Sequence, residues 1–264
     1  MIEIIQGTGP IVLGLPHTGT DVPDAVRDRL NERGRELADT DWHIDRLYNG
    51  LLDDFTVIRT QIHRYVIDVN RAPDGQSLYP GQNTTGLCPL TDFDGLPIYA
   101  AGAEPGAAEI KDRLERYHAP YHAALSTELA RVRDIHGVAI LYDCHSIRSF
   151  IPNLFADTLP DFNIGTNSST SCAGIVEKAV DEITAAAPGY TSTLNGRFKG
   201  GWTTRHYGRP ADGIHAIQME LAQSTYMLER APWTYDTARA DQLRPVLSRI
   251  LNALSQLVLN GDLQ

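Results

Sequence analysis

The chain has little cysteine, no surplus of basic charge and no long apolar run. Its three cysteines, Cys88, Cys144 and Cys172, form no C-x-x-C pair. An odd, scattered set argues against a disulfide framework and against a cysteine zinc site, and points to a reducing cytoplasm. Acidic residues outnumber basic ones, 33 to 23, giving a formal net charge of −10. That balance argues against a polyanionic partner, because nucleic-acid binding needs basic patches. A small acidic ligand is not excluded, since a few local Arg and Lys decide that. No apolar run is long enough to span a bilayer. Met1 to Gly7 has neither the basic n-region nor the long apolar h-region of a leader. There is no internal repeat and no low-complexity tract.

What is there reads as a globular chain with a large core. At 264 residues the length suits one large domain or two small ones, and no segment reads as a linker. One domain over 1–264 is the expectation. Ile11 to Leu15 reads as a short buried strand, closed by Pro16-His17-Thr18-Gly19. Val22 to Arg33 and Asp41 to Phe55 carry helix-like patterns. Thr56 to Ile62 and Tyr65 to Val69 are rich in β-branched residues and predict two strands. Residues 72–106 are rich in Gly, Pro, Asn and Thr without a sustained period. A loop that long is often functional, so it is expected to cover a site. Ala107 to Ile135 predicts a helix kinked or split at Pro120. Val138 to Cys144 and Ile214 to Leu221 predict strands, and Cys172 to Ala187 and Thr237 to Leu259 predict helices. Strands alternating with helices predict an α/β fold with a mixed, mostly parallel sheet. Ligands of such sheets bind at the carboxyl ends of strands.

Chemistry-bearing residues gather at those predicted strand ends. Asp143-Cys144-His145-Ser146 ends an apolar run. Side chains alternate along a strand, so Asp143 and His145 share a face and Cys144 points away. A metal-ligating imidazole usually gives its second N–H to a carboxylate, a role that suits Asp143. His17 lies in a turn whose Gly19 allows close approach of backbone to a ligand. Asp39 to Asp45 is dense in ligand-type side chains. On a helix Asp41 and Asp45 would share a face, with His43 roughly opposite. These acids either cap a helix, or Asp41 or Asp45 supplies a metal ligand. Arg64, Asn70 and Arg71 surround the second predicted strand, and Arg offers a planar fork that matches a carboxylate. Lys199 and Arg205 sit among glycines in Asn195 to Gly208, a composition suited to closing on an acidic ligand. Glu220, flanked by Met219 and Leu221, is costly if buried unpaired and suits general-base work. No G-x-S-x-G elbow is present, and adjacent Cys144 and His145 face opposite ways, so neither a serine triad nor a Cys–His pair is supported.

Taken in order, these segments resemble the N-formylglutamate amidohydrolase family. The resemblance runs from Pro16-His17-Thr18-Gly19-Thr20 through Asp41 to Tyr48, Asp68-Val69-Asn70-Arg71 and Asp143-Cys144-His145-Ser146. It continues through Gly196 to Gly201 and Arg205 to Pro210, and ends in Gly213 to Leu221. That family is similar to the zinc carboxypeptidases and the aspartoacylase group. The resemblance implies a three-layer α/β/α sandwich and one divalent metal ion, most often zinc. His17 and His145 match the two imidazole ligands. The relatives' His-x-x-Glu carboxylate would fall at Thr20, which is no ligand, so the third ligand is assigned to Asp41, with Asp45 and His43 as fallbacks.

By the same resemblance Arg64 polarises the scissile carbonyl and Asn70 and Arg71 hold one substrate carboxylate. Arg205, Lys199 or Arg148 holds the other. Glu220 is the base, and Asp143 and Asp45 support the ligands. The implied reaction is hydrolysis of N-formyl-L-glutamate to formate and L-glutamate, as in histidine degradation. Deacylation of another N-acyl amino acid, such as an N-acyl aspartate, and a relative that only binds metal or ligand are the alternatives. The expected partner is a small acidic N-formyl amino acid, with neither nucleic acid nor membrane.

Overall fold

The structure, a computed structural model, describes residues 1–76, 81 and 83–263. Its strands are β1 (Ile2–Ile5), β2 (Ile11–Leu15), β3 (Thr56–Thr60), β4 (Ala139–Ile147), β5 (Phe162–Gly165), β6 (Ser192–Leu194) and β7 (Ile214–Ala222). Its helices are α1 (Asp24–Arg27), α2 (Glu32–Arg35), α3 (Ile44–Tyr48), α4 (Ala107–Arg113), α5 (Ala119–His136), α6 (Gly174–Ala185), α7 (Trp202–Tyr207) and α8 (Thr237–Leu259). The strands form one sheet in the order β1-β3-β2-β4-β7-β5-β6. Pairing is antiparallel at β1–β3 and β5–β7 and parallel elsewhere. This is the mixed, mostly parallel α/β sheet that the pattern predicts.

Helices cover both faces. Ile140, Tyr142 and Cys144 of β4 pack with Leu47 of α3, Val176 of α6 and Leu247 of α8. Ala139 and Leu141 pack the other way, against Leu125 and Leu129 of α5 and Tyr207 of α7. Burial on both faces explains why β4 and β7 are apolar along most of their length. Among the described residues no helix is long and apolar enough to cross a membrane.

Several elements differ from their sequence patterns. Val22 to Arg33 contains only α1 and the start of α2, where Asn31 accepts a cap bond from Gly34 N. Asp41 to Phe55 contains only α3, because His43 takes a left-handed conformation (φ 63°) and starts the helix there. The predicted helix is divided beside Pro120, as its pattern suggests: α4 ends at Arg113, a π turn covers Leu114–His118, and Pro120, which has no N–H to offer the carbonyl four residues back, stands in the first turn of α5. Strand β4 runs on through His145 to Ile147, so the Asp-x-His pair lies inside the strand and not at its exit.

Tyr65 to Val69 is not a strand but a buried, irregular segment. Its carbonyls are held by side chains in place of a ladder. The Val66 oxygen accepts from Arg113 (2.8 Å) and the Val69 oxygen from His122 (2.8 Å). Of the long loop expected to cover a site, residues 77–80 and 82 lie outside the described residues. Gly75, Gln76, Thr85 and Leu87 of the described part line a cavity together with His17 and His145.

Candidate active site

His17 follows β2 by two residues. A side chain at Gly19 would collide with the backbone of Gln61, so this glycine serves a contact with the chain after β3, not with a ligand. The His17 carbonyl accepts from Asp41 N at 3.0 Å, which ties the two turns together. Parallel pairing of β4 with β7 places His145 directly beside Glu220. Three segments distant in sequence therefore meet at the carboxyl end of the sheet.

The meeting point is a compact cluster. His17 Nδ1 lies 3.2 Å from His145 Nδ1. Asp41 Oδ2 lies 3.3 Å from His145 Nδ1 and 3.6 Å from His17 Nδ1. All three residues are buried. The outer imidazole nitrogens face carboxylates: His17 Nε2 is 2.7 Å from Asp68 Oδ1, and His145 Nε2 is 3.2 Å from Asp143 Oδ2. The tautomer with its proton on Nε2 lets each ring donate to the carboxylate behind it. Both Nδ1 lone pairs are left pointing at each other and at the Asp41 carboxylate.

In that tautomer two nitrogen lone pairs and a carboxylate oxygen face one another, and an added proton or a cation removes their repulsion. Two imidazoles and one carboxylate, oriented from behind by carboxylates, could hold a divalent metal ion and leave it an open position. The remaining oxygen of Asp41, Oδ1, is buried with no hydrogen-bond partner among the described residues and lies 3.6 Å from Arg64 Nη1. Burial alone would lower the pKa of the His145 imidazole. The neighbouring Asp143 and Asp41 outweigh it and hold the value well above the ordinary range. The field that favours a proton there also favours a metal cation.

A cavity of about 250 Å³ opens from this cluster, and Arg64, Glu220, Arg71 and Arg197 line it. Burial pushes the Glu220 carboxyl up to about 7, against the opposing pull of His145. Its Oε2 accepts from Gln218 Nε2 at 3.0 Å. Burial would raise the Asp68 carboxyl as well, but Arg64, Arg71 and His17 hold it well below the usual range. Arg64 donates to Asp68 Oδ2 at 2.6 Å and lies over the Phe93 ring at 4.7 Å. Its Nε is buried without a hydrogen-bond partner among the described residues. Asn70 Nδ2 sits 3.1 Å from His145 Nε2, while its Oδ1 accepts from Thr203 N at 2.9 Å. Gly201 is small because Asn70 occupies the space that a side chain would take.

The structure brings together His17, Asp41, His145, Asp143, Arg64, Asn70, Arg71 and Glu220. It does not bring the others. Asp45 does not share a helix face with Asp41, since Asp41 precedes α3. Asp45 is partly exposed and pairs with Arg59 at 2.6 Å. His43 turns away, its Nε2 2.6 Å from the Trp233 carbonyl. Thr20 is exposed.

Arg148 is engaged by Asp94 at 3.0 Å, and Arg205 donates to the Gly200 carbonyl at 2.9 Å. Neither residue lines the cavity, nor does Lys199. Sequence reasoning passed over Asp68, the carboxylate behind His17, and Arg197, the cation in the cavity wall. Both lie in motifs singled out above. The signal for Asp68 is an acid between Ile67 and Val69 that is costly to bury without a partner.

The Asp68 contact yields a prediction. Asp68→Asn keeps the shape but loses the charge that orients His17, and is expected to weaken metal affinity about 10- to 100-fold. Titration against a competing chelator reads this directly. An unchanged affinity would separate Asp68 from the cluster.

The geometry defines an α/β protein with a buried imidazole–carboxylate centre beside a cation-lined cavity. A sequence profile of the N-formylglutamate amidohydrolase family matches residues 9–227. N-formylglutamate deformylase of Pseudomonas putida is 48% identical over 255 residues, covering 96% of this chain and 95% of that protein. The Pseudomonas aeruginosa protein of the same name is 45% identical over 255 residues, covering 96% of each. The crystal structure of N-formylglutamate amidohydrolase from Ralstonia eutropha JMP134 superposes with a TM-score of 0.81 at 24% identity, over 98% of this chain and 99% of that one. The chain belongs to the N-formylglutamate amidohydrolase family.

Proposed function

We propose that this protein hydrolyses N-formyl-L-glutamate to formate and L-glutamate, with one divalent metal ion, zinc, held by His17, Asp41 and His145. The observation that supports the metal is the convergence of two Nδ1 atoms and one carboxylate oxygen within 4.8 Å of one another. When bound, a divalent cation supplies Lewis acidity to a water and to the formyl oxygen. Glu220 takes a proton from the attacking water as its oxygen adds to the formyl carbon. The C–N bond then breaks, and Glu220 hands the proton to the departing nitrogen. The Arg64 guanidinium, whose Nε is without a hydrogen-bond partner among the described residues, stabilises the negative charge on the formyl oxygen.

Two cations match the two carboxylates of the substrate. Arg71 lies 3.6 Å from Asp68 and so close behind the cluster. It takes the α-carboxylate, which adjoins the scissile nitrogen. Arg197 reaches the carbonyls of Leu154 and Asn83, each at 3.2 Å. From that wall it takes the side-chain carboxylate. Arg197→Met is expected to raise KM for N-formyl-L-glutamate about 10- to 100-fold, the worth of a charge-assisted hydrogen bond. Turnover of N-formyl-L-norvaline, which lacks the side-chain carboxylate, should barely change. Equal effects on both substrates would move the carboxylate seat elsewhere.

The chain works as one domain in this reading, with residues 72–106 as a wall of the cavity. Its free, buried cysteines suit a reducing cytoplasm. The deciding experiment measures formate release from N-formyl-L-glutamate before and after chelation, with metal content assayed in the same sample. Metal-dependent release, restored by zinc, is expected. No release from metal-replete protein would overturn the substrate, and release untouched by chelation would overturn the metal.

A further inference from the structure

Two histidines that do not line the cavity hold the segment that carries Asn70 and Arg71. The segment from Tyr65 to Asn70 is buried yet has no strand or helix to satisfy its backbone. Buried carbonyls must find donors somewhere. Here His122 Nε2 lies 2.8 Å from the Val69 oxygen, and His118 Nε2 lies 2.9 Å from the Arg71 oxygen. The two imidazoles therefore grip the carbonyls on either side of Asn70. They stand four residues apart at the start of α5, with ring centroids 4.4 Å apart.

The rings are fixed from behind. Trp202 packs on His118 at 5.7 Å and edge-on to His122 at 4.6 Å, and stacks on His206 at 4.2 Å. The Tyr207 hydroxyl lies 3.1 Å from His122 Nδ1. Trp202 and Tyr207 belong to α7, the helix whose Thr203 N holds Asn70 Oδ1. The same helix thus backs the imidazoles and fixes the Asn70 side chain.

We propose that His118 and His122 are positioning residues that aim Asn70 at the His145 ring and Arg71 into the cavity. The proposal rests on the substrate reading above. Through Arg71 the pair sets substrate affinity, and it touches neither substrate nor metal. Loss of a grip frees the peptide after Val69 or the one after Arg71, and lets the Arg71 fork, which Thr85 also holds through its carbonyl (2.9 Å) and hydroxyl (3.1 Å), shift from a carboxylate whose recognition depends on alignment.

The test compares His118→Leu, which removes the donor, with His118→Gln, which keeps one, and repeats the pair at position 122. Metal content and urea unfolding are measured alongside kinetics. The leucine variants are expected to raise KM for N-formyl-L-glutamate about tenfold, with a smaller change in kcat and unchanged metal content. Glutamine should restore much of the loss. In an Arg71→Met background the His118→Leu effect on KM should largely vanish, because a residue acting through Arg71 is not additive with it.

A KM equal to wild type, or a leucine effect of full size in the Arg71→Met background, would overturn the proposal. So would glutamine variants no better than leucine. Where a leucine variant does not fold, the glutamine variants and the Arg71→Met cycle built on them decide. These comparisons count against the pair alone in an assay where the wild type turns over the substrate, since failure of the substrate reading shows in the wild type itself.

Discussion

Glu220→Gln is expected to lower kcat about 100- to 10,000-fold, the usual contribution of a positioned general base, and to leave bound metal intact. Glutamine matches the volume of glutamate and can still accept from Gln218, so the cavity wall is preserved. It cannot take a proton from water. The native group suits the task because burial lifts its pKa to about 7. In the proposed reaction it works as the carboxylate, so activity is expected to fall as pH drops through that pKa. A metal cation held by His17, Asp41 and His145 would attract the carboxylate and move this acidic limb below about 7. The limb should be present in the wild-type kcat/KM profile and absent from the residual activity of Glu220→Gln.

Stability of the metal-free protein runs the other way. The folded carboxyl titrates near 7 against an ordinary 4.5, so its contribution is full below about 4.5 and is lost as pH rises through about 7. Urea unfolding of chelated wild type at pH 5 and pH 8, set against Glu220→Gln, reads this difference. A metal-replete Glu220→Gln with near wild-type rate removes Glu220 from the chemistry.

The second large effect belongs to the cluster. Asp41→Ala or His145→Ala is expected to abolish stoichiometric metal binding and to reduce formate release to background. Three ligands are the minimum for a site that keeps an open position. His145 is the sharper test, because its ring lies between Asp41 at 3.3 Å and Asp143 at 3.2 Å. Its removal leaves buried carboxylates facing one another. Asp45→Ala is the internal control and should retain metal, since that carboxylate pairs with Arg59 at the surface. Metal analysis of the three variants at equal protein concentration decides the matter. A metal-replete Asp41→Ala would return the search for a third ligand to its beginning.

Legibility followed burial and local period. Strand β2 and helix α8 have the bounds that their apolar patterns predict. The short strands β1, β5 and β6 were not legible, because strands of three or four residues carry too few alternations to register. Tyr65 to Val69 misled for a physical reason. Its β-branched, aromatic composition signals burial, and burial was met without a ladder once helix side chains supplied the donors.

The sequence by itself determined the alternation of buried strands and helices, and with it an α/β sheet. It also determined the motifs in which His17, Asp41, His145 and Glu220 stand, and the family to which they belong. Only the tertiary structure placed Asp41, and not Asp45, beside the two imidazoles, because a left-handed turn at His43 takes Asp41 out of the helix and into the interior. The tertiary structure also put Asp68 behind His17 and Arg197, not Arg148, in the cavity wall. Local pattern records whether a side chain is buried or exposed. Which buried carboxylate meets which imidazole depends on segments more than 50 residues apart, Asp68 and His17 among them, and on the sheet register that joins them.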